Sequence, residues 1–331
     1  MRWRPLEWLR NPAAETLPAP AAATAGGVPR DILEQVRRLE LRTRGLVNST
    51  FSGEYHSVFR GQGMEFAEVR EYQEGDDVRY IDWNVTARTG TPYIKKHIEE
   101  RELTVLLLVD LSGSEQFGTR NRFKAEAAAE IAAVLALSAA RNNDRVGLVI
   151  FSDHIEHVVP AKKGKRHVLR LIRDVLAFQP QGRGTDIPAA LDYAARLLSH
   201  RGVIFLMSDF APPADRPVGT DATAGWERTF RTVARRHDVV AVHVTDAREQ
   251  ALPDVGLIVV RDPETGGEFV VDTGRRQLRE RYSAQINAEN DSVQKLFRKL
   301  GVDQIHIRTD EPFVGPLLSF FRRRERRRGR R

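Results

Sequence analysis

The chain of 331 residues has 41% hydrophobic and 29% charged side chains, the composition of a globular protein with a sizeable core and, on length, about two domains. It has no cysteine, which excludes a disulfide framework, thiolate zinc sites, iron–sulfur clusters and cysteine nucleophiles. The net charge of +7 sits at one end: Arg322–Arg331 holds eight Arg and one Glu, while the other 321 residues balance 44 basic against 44 acidic side chains, so the body carries no net basic charge of the kind a nucleic-acid-binding domain needs.

The N-terminal MRWRPLEWLR lacks an apolar signal core and a cleavage site. Trp3, Leu6 and Trp8 among Arg2, Arg4 and Arg10 form a weak surface-seeking pattern, broken by Pro5. No apolar run reaches the roughly 18–20 residues of a membrane span. Residues 11–30, with four Pro and many Ala, read as a linker. Asp31 with Glu34 caps a helix whose stripe is Ile32, Val36 and Leu39, and Gly45 ends it. From Gly53 to Arg101, short segments between Gly and Asp turns predict a small strand-rich region without a helix-length pattern.

From residue 103 strands and helices alternate. Leu103–Val109, Arg145–Phe151, Val203–Met207 and Val239–Val244 read as strands buried on both faces, and Ile305–Ile307 as a last short one. Ile155–Val159 reads as an antiparallel edge strand, and Leu257–Val260 with Phe269–Asp272 as a hairpin. Helices are predicted over Phe123–Ala140, Arg166–Phe178, Ile187–Leu198, Trp226–Arg236 and Gln277–Leu300. The expected fold is α/β, a doubly wound and mostly parallel sheet with helices on both faces.

Ligands of such sheets bind beyond the carboxyl ends of the strands. Three loops there supply oxygen donors: Asp110-Leu111-Ser112-Gly113-Ser114, Gly184-Thr185-Asp186 and Ser208-Asp209. Hard oxygen ligands without nitrogen or sulfur suit Mg²⁺ or Mn²⁺. Alternate residues Asp110, Ser112 and Ser114 can converge on one point if Gly113 gives the curvature. Thr185 and Asp209 complete the set from neighbouring loops. Asp186 is the alternative to Thr185, though it also suits the cap of the next helix.

These residues resemble the metal-ion-dependent adhesion site of the von Willebrand factor A fold, Asp-x-Ser-x-Ser followed by a distant Thr and a distant Asp. The resemblance implies a Mg²⁺ (or Mn²⁺) ion held by Asp110, Ser112, Ser114, Thr185 and Asp209, with a position left for a partner's carboxylate. Gly61-Gln62-Gly63-Met64-Glu65-Phe66, Arg70-Glu71-Tyr72, Gly75–Trp83 and Thr86-Ala87-Arg88 in turn resemble the signature of the bacterial "domain of unknown function 58" family. That resemblance implies a MoxR-type AAA+ ATPase as partner and supplies no biochemical activity. In the signature, Asp76, Asp77 and Asp82 with Arg70, Arg79 and Arg88 are expected to form an ion-pair network that packs the region on the main domain, anchored by Tyr72 and Trp83. A partner-facing surface is the other reading.

The expected division is 1–30, flexible segment and linker; 31–102, helix plus strand-rich signature; 103–310, von Willebrand factor A-like metal domain; and 311–331, C-terminal segment with a disordered, dispensable Arg tail. The expected function is a non-enzymatic, metal-dependent interaction module, adaptor or co-chaperone of the ATPase, located in the cytoplasm. The alternatives are a metal-dependent hydrolase, against which Ser112 stands where a phosphatase needs its second acid, and a scaffold. In the scaffold reading, Arg322–Arg331 binds an anionic surface, the inner membrane or nucleic acid. No Walker A loop or Gly-x-Ser-x-Gly elbow occurs. The loop Ala211–Gly225 is a candidate cover for the site.

Overall fold

A computed structural model describes residues 30–47, 51–59, 65–98, 102–116, 123–212, 223, 225–261 and 267–328. The chain forms two compact units, one from the residues up to Val58 together with Thr104 onward, the other from Phe59–Leu103. Helices α1 (Arg30–Leu46) and α2 (Ser52–Val58) open the larger unit. α1 is held through buried Leu39 and Thr43 and through ion pairs of Arg42 with Glu130 (3.1 Å) and Glu40 with Lys165 (2.5 Å). α2 buries Tyr55 and Val58, with Phe51 just before it. The expectation that residues 31–102 form one region is therefore corrected, because these apolar faces group α1 and α2 with the larger unit.

In the smaller unit, β1 (Glu65–Glu71) pairs antiparallel with β2 (Tyr93–Ile98), and α3 (Trp83–Thr89) lies between them in sequence. Its acidic residues close turns. Asp76 accepts from Arg70 at 2.7 Å and from Gln73 N at 2.8 Å, while Asp77 pairs with Arg79 at 2.7 Å. Asp82 caps α3 through Asn84 N and Val85 N. The expected network is thus a set of local caps and turns inside this unit. Trp83, expected as an apolar anchor, is exposed together with Val78 and Tyr80. Gly61–Gly63 of the signature and the N-terminal linker lie outside the described residues.

The larger unit continues with β3 (Thr104–Asp110), α4 (Lys124–Arg141), β4 (Arg145–Phe151), β5 (Ile155–Lys162), α5 (Lys165–Ala177), α6 (Ile187–Leu197), β6 (Val203–Ser208) and α7 (Trp226–Arg236). Then come β7 (Asp238–Thr245), the short α8 (Ala247–Gln250), the hairpin β8 (Leu257–Arg261) and β9 (Glu268–Asp272), α9 (Arg276–Leu300), β10 (Asp303–Arg308) and α10 (Val314–Arg328). The six-stranded sheet runs β10-β7-β6-β3-β4-β5 and is parallel except for the edge strand β5. This is the mostly parallel α/β architecture expected from the sequence. Leu106, Leu108, Ile204 and Leu206 face a core closed by α6, α7 and α9. The alternate residues Val105, Leu107 and Val109 face the other side, where the alanine-rich face of α4 packs. The hairpin docks on α9 through Val260, Val271, Leu278 and Tyr282.

The C-terminus departs from expectation. Val314–Arg328 is one helix whose buried Leu317, Phe320 and Phe321 form an i, i+3, i+4 stripe. Phe321 meets Phe51 and Tyr55 edge-on, with centroids 6.1 and 6.3 Å away. That anchor carries the helix on into the arginines. Arg324 is largely buried and pairs with Asp238 and with Asp303, Arg327 pairs with Asp303, and Arg322 meets Glu54 at 3.2 Å. At least through Arg328 the segment is a docked helix, because apolar contacts fix its first half and carboxylates receive the second.

Candidate metal site at the sheet switch point

In space the crossovers reverse direction between β3 and β6, the place in an open α/β sheet where a crevice forms. Asp110 ends β3, and Ser208 and Asp209 end β6. Asp110, Ser112 and Ser114 are completely buried, and Asp209 nearly so. Ser112 N donates to Asp110 Oδ1 at 2.9 Å, folding the loop back over the strand end. The hydroxyls of Ser112 and Ser114 are 3.1 Å apart. Ser208 Oγ donates to Asp110 Oδ2 at 2.7 Å and ties the two strand ends together. Gly113 opens a short 3₁₀ turn instead of adopting a left-handed conformation, and its N–H donates to Arg183 O at 2.9 Å.

That bond sets the Thr185 loop beside the serine loop. Gly182 N and Gln181 N donate to Glu156 Oε1 at 2.7 and 2.9 Å, and Asp186 N donates to Ser152 O. A Cβ on Gly182 would strike Ser152 Oγ and the Asp153 carboxylate, so this loop passes close against the side chains at β4's end. Thr185 is half-buried in this loop. Asp186 caps α6 by accepting from Ala189 N at 3.0 Å, the structural duty the sequence offered as an alternative to ligation.

After β6, Phe210 turns the chain in a left-handed conformation, φ 49°, uncommon for a bulky residue. It is held edge-on by Phe297, His243 and Trp226 at 5.1, 5.5 and 6.4 Å. The sharp turn lets Ala211 N donate to Asp209 Oδ1 at 3.0 Å. Burial, and secondarily the charge of Asp209, push the Asp110 carboxyl up to about 6. His243, across from Ser208 on β7, is pushed down to about 3 by burial and then by His306.

The donor types fit a hard divalent cation: the Asp110 carboxylate and the Ser112 and Ser114 hydroxyls are buried together, and the charge of Asp209 is felt at Asp110. Among the described residues no cluster of three or more His, Asp or Glu is placed to hold a metal, so an ion here depends on hydroxyl donors. Sequence reasoning missed Lys124, which is fully buried with its ammonium 2.8 Å from Asp209 Oδ2 and 2.8 Å from Glu249 Oε1. The signal was a lone cation in the first turn of an alanine-rich helix, where the dipole disfavours it. His154 and His157 pair with Asp153 and Asp174. The middle of the Ala211–Gly225 loop lies outside the described residues. A separate hollow of about 660 Å³ between α1, α4 and the Thr309–Val314 turn contains none of the five site residues.

An uncharacterized protein of Mycobacterium tuberculosis is 33% identical over 295 residues, 88% of this chain and 89% of that protein. Solved structures similar to the chain include the conserved hypothetical protein BatB from Bacteroides thetaiotaomicron (TM-score 0.46, 14% identity, 68% of this chain and 99% of that one). An aerotolerance-related membrane protein from Bacteroides fragilis gives a TM-score of 0.42 at 18% identity, again covering 68% and 99%. The SpRpn10 VWA domain gives 0.36 at 14% identity, covering 65% and 93%. The expected cytoplasmic location is withdrawn: one of these similar structures is described as a membrane protein, a description of that protein and not of this chain. Among the described residues no helix is long and apolar enough to cross a membrane. The family described as "protein of unknown function DUF58" matches residues 68–292, more than half of the chain, and with the mycobacterial relative this shows that the chain belongs to the DUF58 family.

Proposed function

We propose that the chain is a divalent-metal-dependent protein-interaction module. In this reading Asp110, Ser112, Ser114, Thr185 and Asp209 hold a Mg²⁺ or Mn²⁺ ion and leave a position for a carboxylate from a partner, a MoxR-type AAA+ ATPase. The observation that supports the reading is the buried group of Asp110, Ser112 and Ser114 at the switch point, tied through Ser208 to the strand end that Asp209 follows. Neutral hydroxyls touching the ion leave it much of its charge and therefore an appetite for an external carboxylate. A single carboxylate contact is too small for useful affinity, and surrounding surface must supply area. Tyr80 and Trp83 are exposed on the smaller unit and are of the type that anchors interfaces.

Mg²⁺ binds the folded site and not the scattered chain, so it should raise the melting temperature. Asp110→Ala and Ser112→Ala should lose that increment and keep the fold. Recovery of the ATPase on the immobilised chain should require Mg²⁺ or Mn²⁺ and fail with chelator, as well as in Ser114→Ala and Thr185→Ala. Equal recovery in chelator and in Mg²⁺ would refute metal-dependent docking.

A further inference from the structure

Lys124 is the first residue of α4, and its buried ammonium lies between Asp209, a carboxylate of the proposed metal site, and Glu249 of α8. Burying an ammonium is costly unless carboxylates and hydrogen bonds compensate it, and the first turn of a helix adds an unfavourable dipole. An apolar side chain would fill the same volume without either cost. Lys124 is therefore read by what it does to its partners. Asp209 has both oxygens engaged, Oδ1 by Ala211 N and Oδ2 by Lys124. Its carboxylate is held in the metal-free geometry by the ammonium.

Glu249 stands differently. It is fixed from behind, because Tyr282 Oη donates to Glu249 O at 2.8 Å and Ser283 Oγ to Gln250 O at 3.2 Å, which pins α8 to α9. If Asp209 turns toward an ion, Lys124 keeps Glu249, and the buried ammonium is not left without a carboxylate. Two carboxylates on one ammonium make the exchange of one of them feasible.

We propose that Lys124 is a tethered counter-ion of the divalent site: it holds Asp209 in the metal-free protein, opposes the divalent ion by charge, and sets the affinity low enough for occupancy to be reversible. The inference rests on the metal reading above and adds how the site is regulated. Glu249 is the positioning residue that draws Lys124 away from Asp209.

The test is Mg²⁺ titration of the full chain, followed by calorimetry and by melting temperature. Lys124→Met is shorter by one atom, nearly fills the same space and removes the charge. Its Mg²⁺ affinity should rise by at least about ten-fold, the order expected even at the dielectric of water for removing a unit charge a few Å from a divalent ion. Its melting temperature should also depend more steeply on Mg²⁺ than the wild type's. Glu249→Gln should act in the opposite direction, because Lys124 then holds Asp209 without competition, and affinity should fall several-fold. Unchanged or weaker binding in Lys124→Met overturns the proposal. If that variant does not fold, unchanged or tighter binding in Glu249→Gln overturns it. A wild-type chain indifferent to Mg²⁺ overturns the metal reading itself, a result distinct from a responsive wild type with indifferent variants.

Discussion

Removing Arg322–Arg331 tests whether the arginine-rich end is part of the folded body. The truncated chain keeps Leu317, Phe320 and Phe321 but loses the guanidinium of Arg324, whose side chain is 13% exposed between Asp238 and Asp303 at 25% and 19%. Breaking a fully buried pair costs about 3–5 kcal/mol, and an exposed pair about 0.2–1 kcal/mol. This partly buried pair falls between them, and the loss of Arg327 from Asp303 and Arg322 from Glu54 adds little, since both arginines are exposed. The expected loss is about 2–3 kcal/mol. At about 2–4 °C per kcal/mol for a domain of roughly 150–250 residues, the scale nearest this unit, the melting temperature should drop by about 5–10 °C. Arg324→Ala alone should reproduce most of the drop, while Arg326→Ala, at an exposed position, should leave it unchanged. Differential scanning calorimetry of the three proteins gives the answer. A truncated chain melting within about a degree of wild type would refute the docking.

Phe210→Ala should cost about 3–5 kcal/mol, the usual cost of deleting a buried aromatic, and should also weaken the Mg²⁺ response because the turn that orients Asp209 loses its aromatic clamp; urea unfolding with and without Mg²⁺ separates the two effects. Gly182→Ala has to displace the Ser152 hydroxyl and the Asp153 carboxylate or the Thr185 loop itself, so the thermal shift with Mg²⁺ should shrink while circular dichroism stays native, and a full-sized shift would show that this close approach does not matter to the site. His237 is held below the usual histidine range by burial and then by Arg236 and Arg201. Its neutral form is the one favoured in the fold, so its contribution is present above about pH 6.5 and is lost as pH falls through its lowered value. His237→Gln, which keeps an acceptor for Gly202 N, should flatten the acid side of the stability curve, and identical profiles would remove His237 from the pH dependence.

The central sheet was legible because buried parallel strands are continuous apolar runs. Arg145–Phe151 and Trp226–Arg236 match their expected limits residue for residue. Asp110, Ser112, Ser114 and Asp209 were legible as neighbours because strand ends of one sheet converge by topology. Lys124 was not, since its partner Asp209 is 85 residues away and no local pattern marks the contact. The last helix was misread for another reason. A run of arginines was weighed as a charge count, although Leu317, Phe320 and Phe321 just before it carried the helical stripe. In the smaller unit, Asp77 and Asp82 were expected in an ion-pair network, and the caps they form went unseen because a backbone N–H two or three residues away leaves no mark in a charge pattern.

The packing of α2 against α10 joins nearly the first described element to the last, with Glu54 and Arg322 separated by 268 positions. During synthesis, Phe51, Tyr55 and Val58 have to wait for Phe320 and Phe321, which leave the ribosome only after the whole six-stranded sheet. Until then a sticky aromatic cluster stays uncovered on the nascent chain. A polypeptide interrupted anywhere before Phe320 would carry that exposed cluster permanently. The cell's proteases and holdases would therefore meet on such a product an aromatic surface that α10 otherwise covers.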